Sequence, residues 1–583
     1  MRLQQLNRLK ELRKEAEQFR TNQISDQEIN EYEELWEGEY DVTGAMLPVP
    51  TLVSDAQRQL AGLVGGEPQV EITTSVPEKV AGARVNTIKQ NHLIRQLKLM
   101  DQIADAGQDA VTIGTGLLLD GFGSQFGIHY NTSEQGFDHT RRDEDGERIE
   151  YHDDIYDNLP WTLRIHLTNF LVPANTVRIA DATGMWIRYI RHIDDVRADE
   201  KLIKKHRMKI KPDACYCDAE RNTDSDLEED YVVLWDYYDL KTNHRVTFNE
   251  EYPYALQDEV DELLIRLDRL PIHVIIFNKN SRKFYGTPDF RLLMPLAEEI
   301  NDIRTMQMRL RHLEVVKGFY DKRMLEGDDD MEAYEKAIED MTSDEAMALI
   351  GINGDPRSFI NSWAPSQPYD LVPQIELAKD EIEQFGLGIG KTQKGLMAEG
   401  RHTAFETKVT EGHHDQSMAP RRKVIATTVT DVVMNWSKLL FDFQIEPDVA
   451  KTHDAAGRPV TVEYTGQDIR GSYDYKVSLQ SLKAKSQEDK ISEANMILEQ
   501  SQQFIEAGIV NPQSLFSQWL TRIGSSWDTD SLMMQQAPPQ APPMPFDQFQ
   551  QGFMQPPPPG PQGMPQIPQR PMMPMPQRGG PQR

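Results

Sequence analysis

Apolar residues recur at helical spacing at the start of the chain. Within the first twelve residues a leucine stands at every third position, which predicts one amphipathic helix over the first twenty residues. Helical spacing continues from Ala45 to Ala106, with a break around Gly65–Pro68. Within that stretch, Ala81–Ala106 predicts a long polar helix. The leucines of the first helix are Leu3, Leu6, Leu9 and Leu12.

Runs of β-branched and aromatic residues follow and predict a block of strands. Val232–Tyr238 and Arg245–Asn249 predict a hairpin, because the intervening Asp239–Asn243 is rich in turn-forming residues. Ile272–Phe277 is apolar and β-branched and predicts a buried strand. Further strands are predicted at Val111–Asp120, Phe126–Tyr130, Trp161–Phe170 and Arg178–Ile179.

Helical spacing returns after Gly286. Thr287 is a suitable N-cap and Pro288 a suitable first helical residue, while Pro295 predicts a kink or a restart of the helix. Its apolar stripe consists of Leu296, Ile300, Ile303, Leu310 and Leu313. The basic residues Arg304, Arg309 and Arg311 lie on the same predicted helix and give it local positive charge.

The second half combines helices with short strands. Residues 318–370 predict a small α+β insertion, with a strand near Phe319, an acidic helix over Asp330–Glu345 and a strand at Ala348–Ile352. The fold class predicted for the whole chain is therefore α+β. Later elements are predicted as a helix at Tyr369–Phe385, a Gly-rich loop at Gly386–Gly400, a long helix at Thr403–Phe443 kinked at Pro420, strands at Val460–Tyr464 and Tyr473–Leu479, and two helices within Ser486–Ile523.

The C-terminal tail, residues 531–583, differs from the rest of the chain in composition. Of its 53 residues, 16 are Pro, 12 are Gln and 8 are Met, so proline excludes helix and central strand over much of it. The composition predicts a disordered or polyproline segment. Two roles stay open, a solvated appendage and a docking tail for another protein.

Charge and cysteine content narrow the class of protein. The net charge of −30 argues against a protein that grips nucleic acid over most of its surface, because neutralising phosphate needs an excess of Lys and Arg. Two cysteines exclude a disulfide scaffold and fit a reducing compartment. There is neither an apolar run long enough to span a membrane nor a signal peptide, so no membrane contact is expected.

Gly386–Thr392 is the strongest enzymatic motif. It resembles a phosphate-binding P-loop, but Phe385 stands where the first glycine is required, and the preceding Asp380–Gln384 is polar and helical rather than a buried strand. A P-loop-like, nucleic-acid-processing NTPase is kept as the alternative function. The other interpretation is a flexible loop between two helices that displays Lys391, Lys394 and Arg401.

The remaining motifs do not predict chemistry. Cys215 and Cys217 form one pair and cannot fill four zinc positions, and Gly121–Gly127 is one residue too long for a dinucleotide fingerprint and predicts a turn between strands. His413 and His414 are adjacent on the long helix and project about 100° apart, which does not favour a shared metal. No catalytic residue, metal site or cofactor is therefore expected.

Several stretches, in their order and spacing, resemble the portal proteins of tailed bacteriophages. In that family an apolar strand leads through a Tyr-Gly-x-Pro turn into a stem helix, as Pro271–Asn280, Phe284–Pro288 and Pro295–Thr305 do here. The resemblance spans about residues 45–486. Further matching stretches are Asp105–Leu119 with a Gly-Thr-Gly turn, Arg164–Phe170, Val232–Leu240 and Thr403–Glu406, where Phe405 departs from the small residue often found.

The resemblance implies a domain layout. Beyond an N-terminal amphipathic helix region, it implies a wing, a helical stem, a small α/β clip between the two stem helices, a tunnel loop and a helical crown, followed by the disordered tail. The ranges are 1–44 for the N-terminal region, 45–285 for the wing, 286–316 for stem helix 1, 317–368 for the clip, 369–386 for stem helix 2, 387–402 for the tunnel loop, 403–483 for a second part of the wing, 484–530 for the crown and 531–583 for the tail.

The resemblance also implies a function. Such a chain would form a ring, usually of twelve subunits, at one capsid vertex of a virion assembled in the host cytoplasm. Double-stranded DNA would pass through it during packaging and ejection. The terminase large subunit and a head-tail adaptor would dock on it, with the major capsid protein and a scaffold as further partners. A tail or connector ring is a third possibility. An acidic channel would favour passage of DNA over tight binding.

Two groups of basic residues would then be DNA-facing. Lys391, Lys394 and Arg401 lie on the Gly-rich loop that would be the tunnel loop, so we expect them to face DNA. Arg304, Arg309 and Arg311 on the first stem helix are expected either to face DNA or to pair with acidic residues of a neighbouring subunit.

Overall fold

The computed structural model describes part of the chain. The described residues are 3–38, 50–66, 68–123, 159–199, 201–213, 231–313, 318–321, 349–352, 372–385, 404–445, 447–453, 459–477, 495–501, 544–545 and 550. The predicted strand Phe126–Tyr130 and the predicted helix Asp330–Glu345 lie outside them. Of the two helices predicted within Ser486–Ile523, only residues 495–501 are described, and these are helical.

The described residues form an α+β fold, as the sequence predicted. The helices are α1 (Leu3–Thr21), α2 (Asp26–Glu37), α3 (Thr51–Val64), α4 (Val80–Gln96), α5 (Leu99–Thr112), α6 (Ile193–Ala198), α7 (Lys204–Arg207), α8 (Glu262–Leu267), α9 (Asp289–Leu313), α10 (Val372–Phe385) and α11 (Ala404–Phe443).

The strands pair into small sheets. They are β1 (Val70–Thr73), β2 (Gly116–Phe122), β3 (Pro160–Ile165), β4 (Phe170–Leu171), β5 (Gly184–His192), β6 (Tyr231–Asp239), β7 (His244–Phe248), β8 (Gln257–Val260), β9 (Ile272–Ile275), β10 (Gly318–Asp321), β11 (Leu349–Ile352), β12 (Asp448–His453), β13 (Pro459–Tyr464), β14 (Asp474–Val477) and β15 (Met544–Pro545). Their orders are β3-β2-β9, β4-β5-β6-β7-β8, β12-β13-β15, β1-β14 and β10-β11.

Strand β2 is the centre of the described body. Both of its neighbours, β3 and β9, run antiparallel to it, and every residue of β2 is buried. Successive side chains of a strand point to opposite faces. Leu117 and Leu119 accordingly enter one hydrophobic core, and Leu118 and Phe122 enter a second core that also contains Trp436 of α11. The strand therefore separates two cores and contributes to both.

Asp120 places a carboxylate in the middle of this strand, fully buried. It accepts hydrogen bonds from the Thr162 hydroxyl and the Asn435 amide, each at 2.6 Å. His273 Nε2 lies 2.6 Å away and donates, because a carboxylate only accepts. The Trp436 indole N–H donates to Thr162 at 2.9 Å. One carboxylate thus joins β2, β3, β9 and α11.

The five-stranded sheet is antiparallel throughout and is covered on its outer face by α1. Leu6 and Leu9 are buried there, and the Lys10 ammonium donates to two backbone carbonyls of the sheet's β7–β8 connection. Leu3 and Leu12 are exposed instead, contrary to a single apolar stripe. A spacing of three residues drifts by about 60° per step, so residues nine apart lie on opposite sides of a helix.

The predictions for residues 45–120 need three corrections. Val70–Thr73 is a strand paired with β14 inside a stretch predicted to be helical. The helix predicted at Ala81–Ala106 is two helices, which join at Lys98 in the left-handed conformation, φ 49°. Asn86 and Gln90 are among the buried residues of the first of these helices. Val111 lies in the last turn of α5 rather than beginning a strand, because tertiary packing outweighs its β-branched preference.

The strand predictions that follow are confirmed in part. The hairpin is confirmed, since β6 and β7 pair antiparallel around the predicted turn. Trp161–Phe170 is two strands separated by a 3₁₀ turn, and Arg178–Ile179 is not a strand. The strand in that region is β5, which the sequence analysis missed. Gly121 and Phe122, predicted to start a turn, are the last residues of β2.

The second half matches the prediction more closely. Strands β10 and β11 lie at the two predicted positions and pair in parallel. The long helix α11 contains Pro420, and α9 contains Pro295 and begins at Asp289, two residues after Thr287. The tail prediction is corrected at Met544–Pro545, which forms an edge strand beside β13. Proline is compatible with an edge because its missing N–H need not serve a further strand.

The buried carboxylate gives a first prediction. We expect Asp120→Ala to lower the free energy of unfolding by about 3–5 kcal/mol, since three buried donors lose their acceptor. Glu259→Ala, at an exposed position of β8, is the matched control and should change it by less than about 0.5 kcal/mol. Urea denaturation followed by tryptophan fluorescence measures both. Equal midpoints for the two variants would contradict a stabilising role of the network.

Candidate functional site

Two glycine-containing turns meet at the base of α9. The Gly114-Thr115 turn joins α5 to β2, and Gly286 precedes α9. The Gly286 N–H donates to the Thr115 hydroxyl at 3.0 Å. A Cβ on Gly114 would lie 2.6 Å from the Gly286 carbonyl oxygen, and one on Gly286 would lie 2.2 Å from the Gly114 carbonyl oxygen. The two backbones therefore approach too closely for any side chain at either position.

Asp289 is the first residue of α9 and the acidic centre of this junction. Its two oxygens accept hydrogen bonds from Arg421 at 2.6 and 2.9 Å, and both side chains are buried. A carboxylate in the first turn also interacts favourably with the positive end of the helix dipole. The pair joins the start of α9 to α11, 132 residues further along the chain.

Neutral groups satisfy the remaining polar atoms of this ion pair. Arg421 also donates to the Gln59 side chain on α3 at 3.0 Å, and its guanidinium lies over the Phe277 ring at 5.0 Å. The Asn278 amide donates to Asp289 and to the carbonyl of Thr287. A buried ion pair is stable only where such additional hydrogen bonds are present. The base of α9 is therefore held by α3, α11 and the segment after β9.

Helix α2 holds the first turn of α9 from another side. Arg291 Nη2 lies 2.7 Å from Glu28 Oε2, and the Tyr32 and Phe290 rings meet edge to face at 6.1 Å. Burial opposes ionisation of Glu28, but the backbone N–H of Ser25 and the charge of Arg291 together outweigh it, so its pKa lies below its ordinary value.

Further along, α9 and α10 pack against each other through a narrow seam. Ile300, Ala378 and Ile382 are buried in it. Leu377 lies two residues, about 200°, from the buried Ile375 and points away from the seam. The pair therefore leaves several large apolar side chains at least half exposed: Leu292 at 58%, Met306 at 55%, Val372 at 50% and Leu377 at 61%.

The charges of the two helices differ. Helix α9 carries four acidic and four basic residues, the acidic ones nearer its start and three of the arginines nearer its end. Helix α10 carries four acidic residues against Lys379, a net charge of −3. The two helices together are therefore acidic.

The structure places one of the two predicted basic groups. Arg304, Arg309 and Arg311 lie on α9; Arg304 is half-buried and donates to Gln307 on the same helix at 3.4 Å. No ion pair of Arg304 with a carboxylate occurs in the part of the chain that the structure describes. The structure does not describe the side chains of Arg309 and Arg311.

The other predicted group lies outside the described residues. Neither Lys391, Lys394 and Arg401 nor the rest of the Gly386–Thr392 loop is described, and the same holds for Cys215 and Cys217. The residues immediately before that loop belong to helix α10.

Sequence reasoning missed the residues that form the junction. Asp289 had a weak signal, because an acidic residue after Thr-Pro is favourable at a helix start. Arg421 had no sequence signal, because the sequence does not distinguish a buried arginine on a helix from an exposed one until its partner is known. The Gly-Thr-Gly and Tyr-Gly-x-Pro motifs are both recognisable in the sequence, but no sequence pattern indicates that they contact each other.

No family model and no curated protein matches this chain. No helix among the described residues is long and apolar enough to cross a membrane. Within the same residues, no three His, Cys, Asp or Glu side chains lie close enough to hold a metal ion together.

The junction gives a second prediction. We expect Arg421→Gln to lower the free energy of unfolding by about 3–5 kcal/mol, because it leaves the Asp289 carboxylate buried without its cation. Amide hydrogen exchange in the first turns of α9 should accelerate as well. Arg470→Gln, which removes an arginine 63% exposed in its ion pair with Asp442, is the control and should cost less than about 1 kcal/mol. Unchanged exchange at the start of α9 would show that the ion pair does not hold this helix.

Proposed function

We propose that this chain is the subunit of a portal ring at one vertex of a tailed-phage capsid, through which double-stranded DNA enters during packaging and leaves during ejection. The ring would also be the platform on which the terminase large subunit and the head-tail adaptor dock, with the major capsid protein around it.

The exposed apolar side chains of the α9–α10 pair carry the proposal. Large apolar residues that remain half exposed along a helix pair are typical of protein–protein contact surfaces. A second copy of the same chain is the occupant that the resemblance favours, because stem helices of neighbouring subunits would pack side by side. Leu292 and Met306 are fourteen residues apart, close to four full turns, and so lie on nearly the same face of α9.

The segment between the two helices supports the same proposal. Strands β10 and β11 lie between α9 and α10 in the chain and pair in parallel. Parallel strands need a crossover connection, usually a helix. The resemblance expects a small α/β clip at this position in the chain.

Charge supports passage of DNA rather than tight binding. The chain has a net charge of −30, and α10 is acidic. A ring of such chains would repel the phosphate backbone over most of its surface, so DNA could slide. Basic residues at a constriction would then guide the duplex without holding it.

The assembly is tested directly. Purified chain should form rings with a central hole in negative-stain images, and Leu377→Glu should shift the mass distribution toward monomer, because it places a charge in the subunit contact. Ile445→Glu, at a residue 83% exposed beyond the end of α11, is the control and should leave rings intact. Rings that form equally well in both variants would contradict this subunit contact.

The basic loop is tested by a joint substitution. We expect the triple variant Lys391→Ala, Lys394→Ala and Arg401→Ala to reduce the amount of DNA packaged or retained per particle. The reason is that the channel would lose the positive charges of this loop. The control is a second triple variant that removes the same charge elsewhere, at exposed positions, and should have no effect. It combines Lys279→Ala, Arg282→Ala and Lys283→Ala. Equal DNA content for both triple variants would assign the loop no role in contacting DNA.

The alternative NTPase has no supporting observation in the described residues. A P-loop follows a buried strand, whereas the Gly386–Thr392 loop follows α10. An ATPase assay on the purified chain separates the two proposals, since monomers that hydrolyse ATP would refute the portal and rings without turnover would refute the NTPase.

A further inference from the structure

The C-terminal tail touches the folded body at a strand edge. Strand β13 pairs antiparallel with β12 on one side and parallel with β15 on the other. In the parallel pair, Val462 lies opposite Met544 and Glu463 opposite Pro545. Residues from the Pro-, Gln- and Met-rich tail therefore complete a three-stranded sheet.

A second contact of the tail falls on the same side of the body. The Gln550 amide donates to the backbone carbonyl of Glu78 at 2.8 Å. Glu78 lies two residues before the start of α4, and Ala81 of α4 shares a hydrophobic core with Val462 of β13. Two contacts, five residues apart in the tail, thus reach neighbouring parts of one surface.

Contacts that do not involve the tail hold β13, the strand that accepts it, in place. Lys89 of α4 lies 2.6 Å from Asp448 at the start of β12, and the Tyr464 hydroxyl at the end of β13 donates to the same carboxylate at 3.1 Å. Tyr464 is buried. The β12–β13 hairpin is therefore fixed on α4, and the outer edge of β13 is a preformed acceptor.

Strand addition suits both partners. The edge of a sheet presents backbone N–H and C=O groups that an extended peptide can pair with, largely independent of its side chains. A Met-Pro strand also terminates the sheet, because proline has no N–H to offer to a further strand. The tail can thus cover the edge of β13 without creating a new edge that would favour aggregation.

We propose that the outer edge of β13 is a docking site for the chain's own tail, with Met544-Pro545 as the docked strand and Gln550 as a second anchor. The tail is then tethered to the body at a fixed point. The docking is within one chain and does not depend on the proposed portal function.

A designed disulfide tests the register and the occupant. Glu463 and Pro545 are direct partners across the parallel pair, and Glu463 is exposed, so Glu463→Cys with Pro545→Cys needs no change in the core. Both native cysteines, Cys215 and Cys217, are first replaced by serine in the full chain. Mild oxidation should give an intramolecular cross-link, seen by non-reducing electrophoresis and peptide mass spectrometry.

The tail supplies its own matched control. It contains four Met-Pro dipeptides, of which Met544-Pro545 is the proposed docked strand and Met564-Pro565 serves as the control. Glu463→Cys with Pro565→Cys should therefore cross-link several-fold less than the first pair. Equal yields for the two pairs would overturn the specific docking of Met544-Pro545, and a cross-link mainly between chains would overturn docking within one chain.

Hydrogen exchange tests the same contact without cysteines. Met544→Pro removes the backbone N–H that the first residue of β15 can donate, so amides of Val460–Tyr464 should exchange about fivefold faster than in the unmodified chain. Met564→Pro is the control and should leave these amides unchanged. Unchanged exchange in Met544→Pro would overturn the proposal, whatever the yield of the cross-link.

Discussion

The described fold depends on one buried carboxylate and the need to satisfy it. Asp120 lies in the central strand, where every neighbouring side chain is buried, so its oxygens must find donors within the protein. They find them on Thr162, His273 and Asn435, which come from three separate parts of the chain. Arg269 in turn donates to Asn435 at 2.8 Å. Two strands and the long helix meet β2 in the arrangement that brings these groups together.

The base of α9 follows the same physical rule at a second place. Asp289 and Arg421 are both buried, and their opposite charges compensate each other. Neutral side chains form the remaining hydrogen bonds of both residues. The close approach of Gly114 and Gly286 fixes the backbone beside them. Helix α9 therefore begins from a rigid point, while its partner α10 adds only a narrow seam. This contrast between a fixed base and exposed apolar faces is why the helix pair, rather than the body, is the proposed contact between subunits.

Local signals predicted the elements whose packing agrees with their own propensities. The hairpin around Asp239–Asn243 and the 40-residue helix α11 needed no knowledge of their neighbours. Predictions were wrong where packing against a distant part of the chain determines the secondary structure. Val70–Thr73 is a strand because β14, some 400 residues later, pairs with it, and the left-handed conformation of Lys98 divides one predicted helix into two. The basic residues chosen from sequence remain predictions, since only Arg304 has a described side chain.

The sequence by itself determined the α+β class, the order of most elements and the separate character of the tail, because composition and periodicity are local properties. Tertiary structure alone decided that Asp120, Asp289 and Arg421 are buried and paired, since a charged side chain gives no local sign of its distant partner. It also decided that Met544-Pro545 in a proline-rich tail forms a strand. Such a strand has no propensity of its own and exists only where the edge of β13 accepts it.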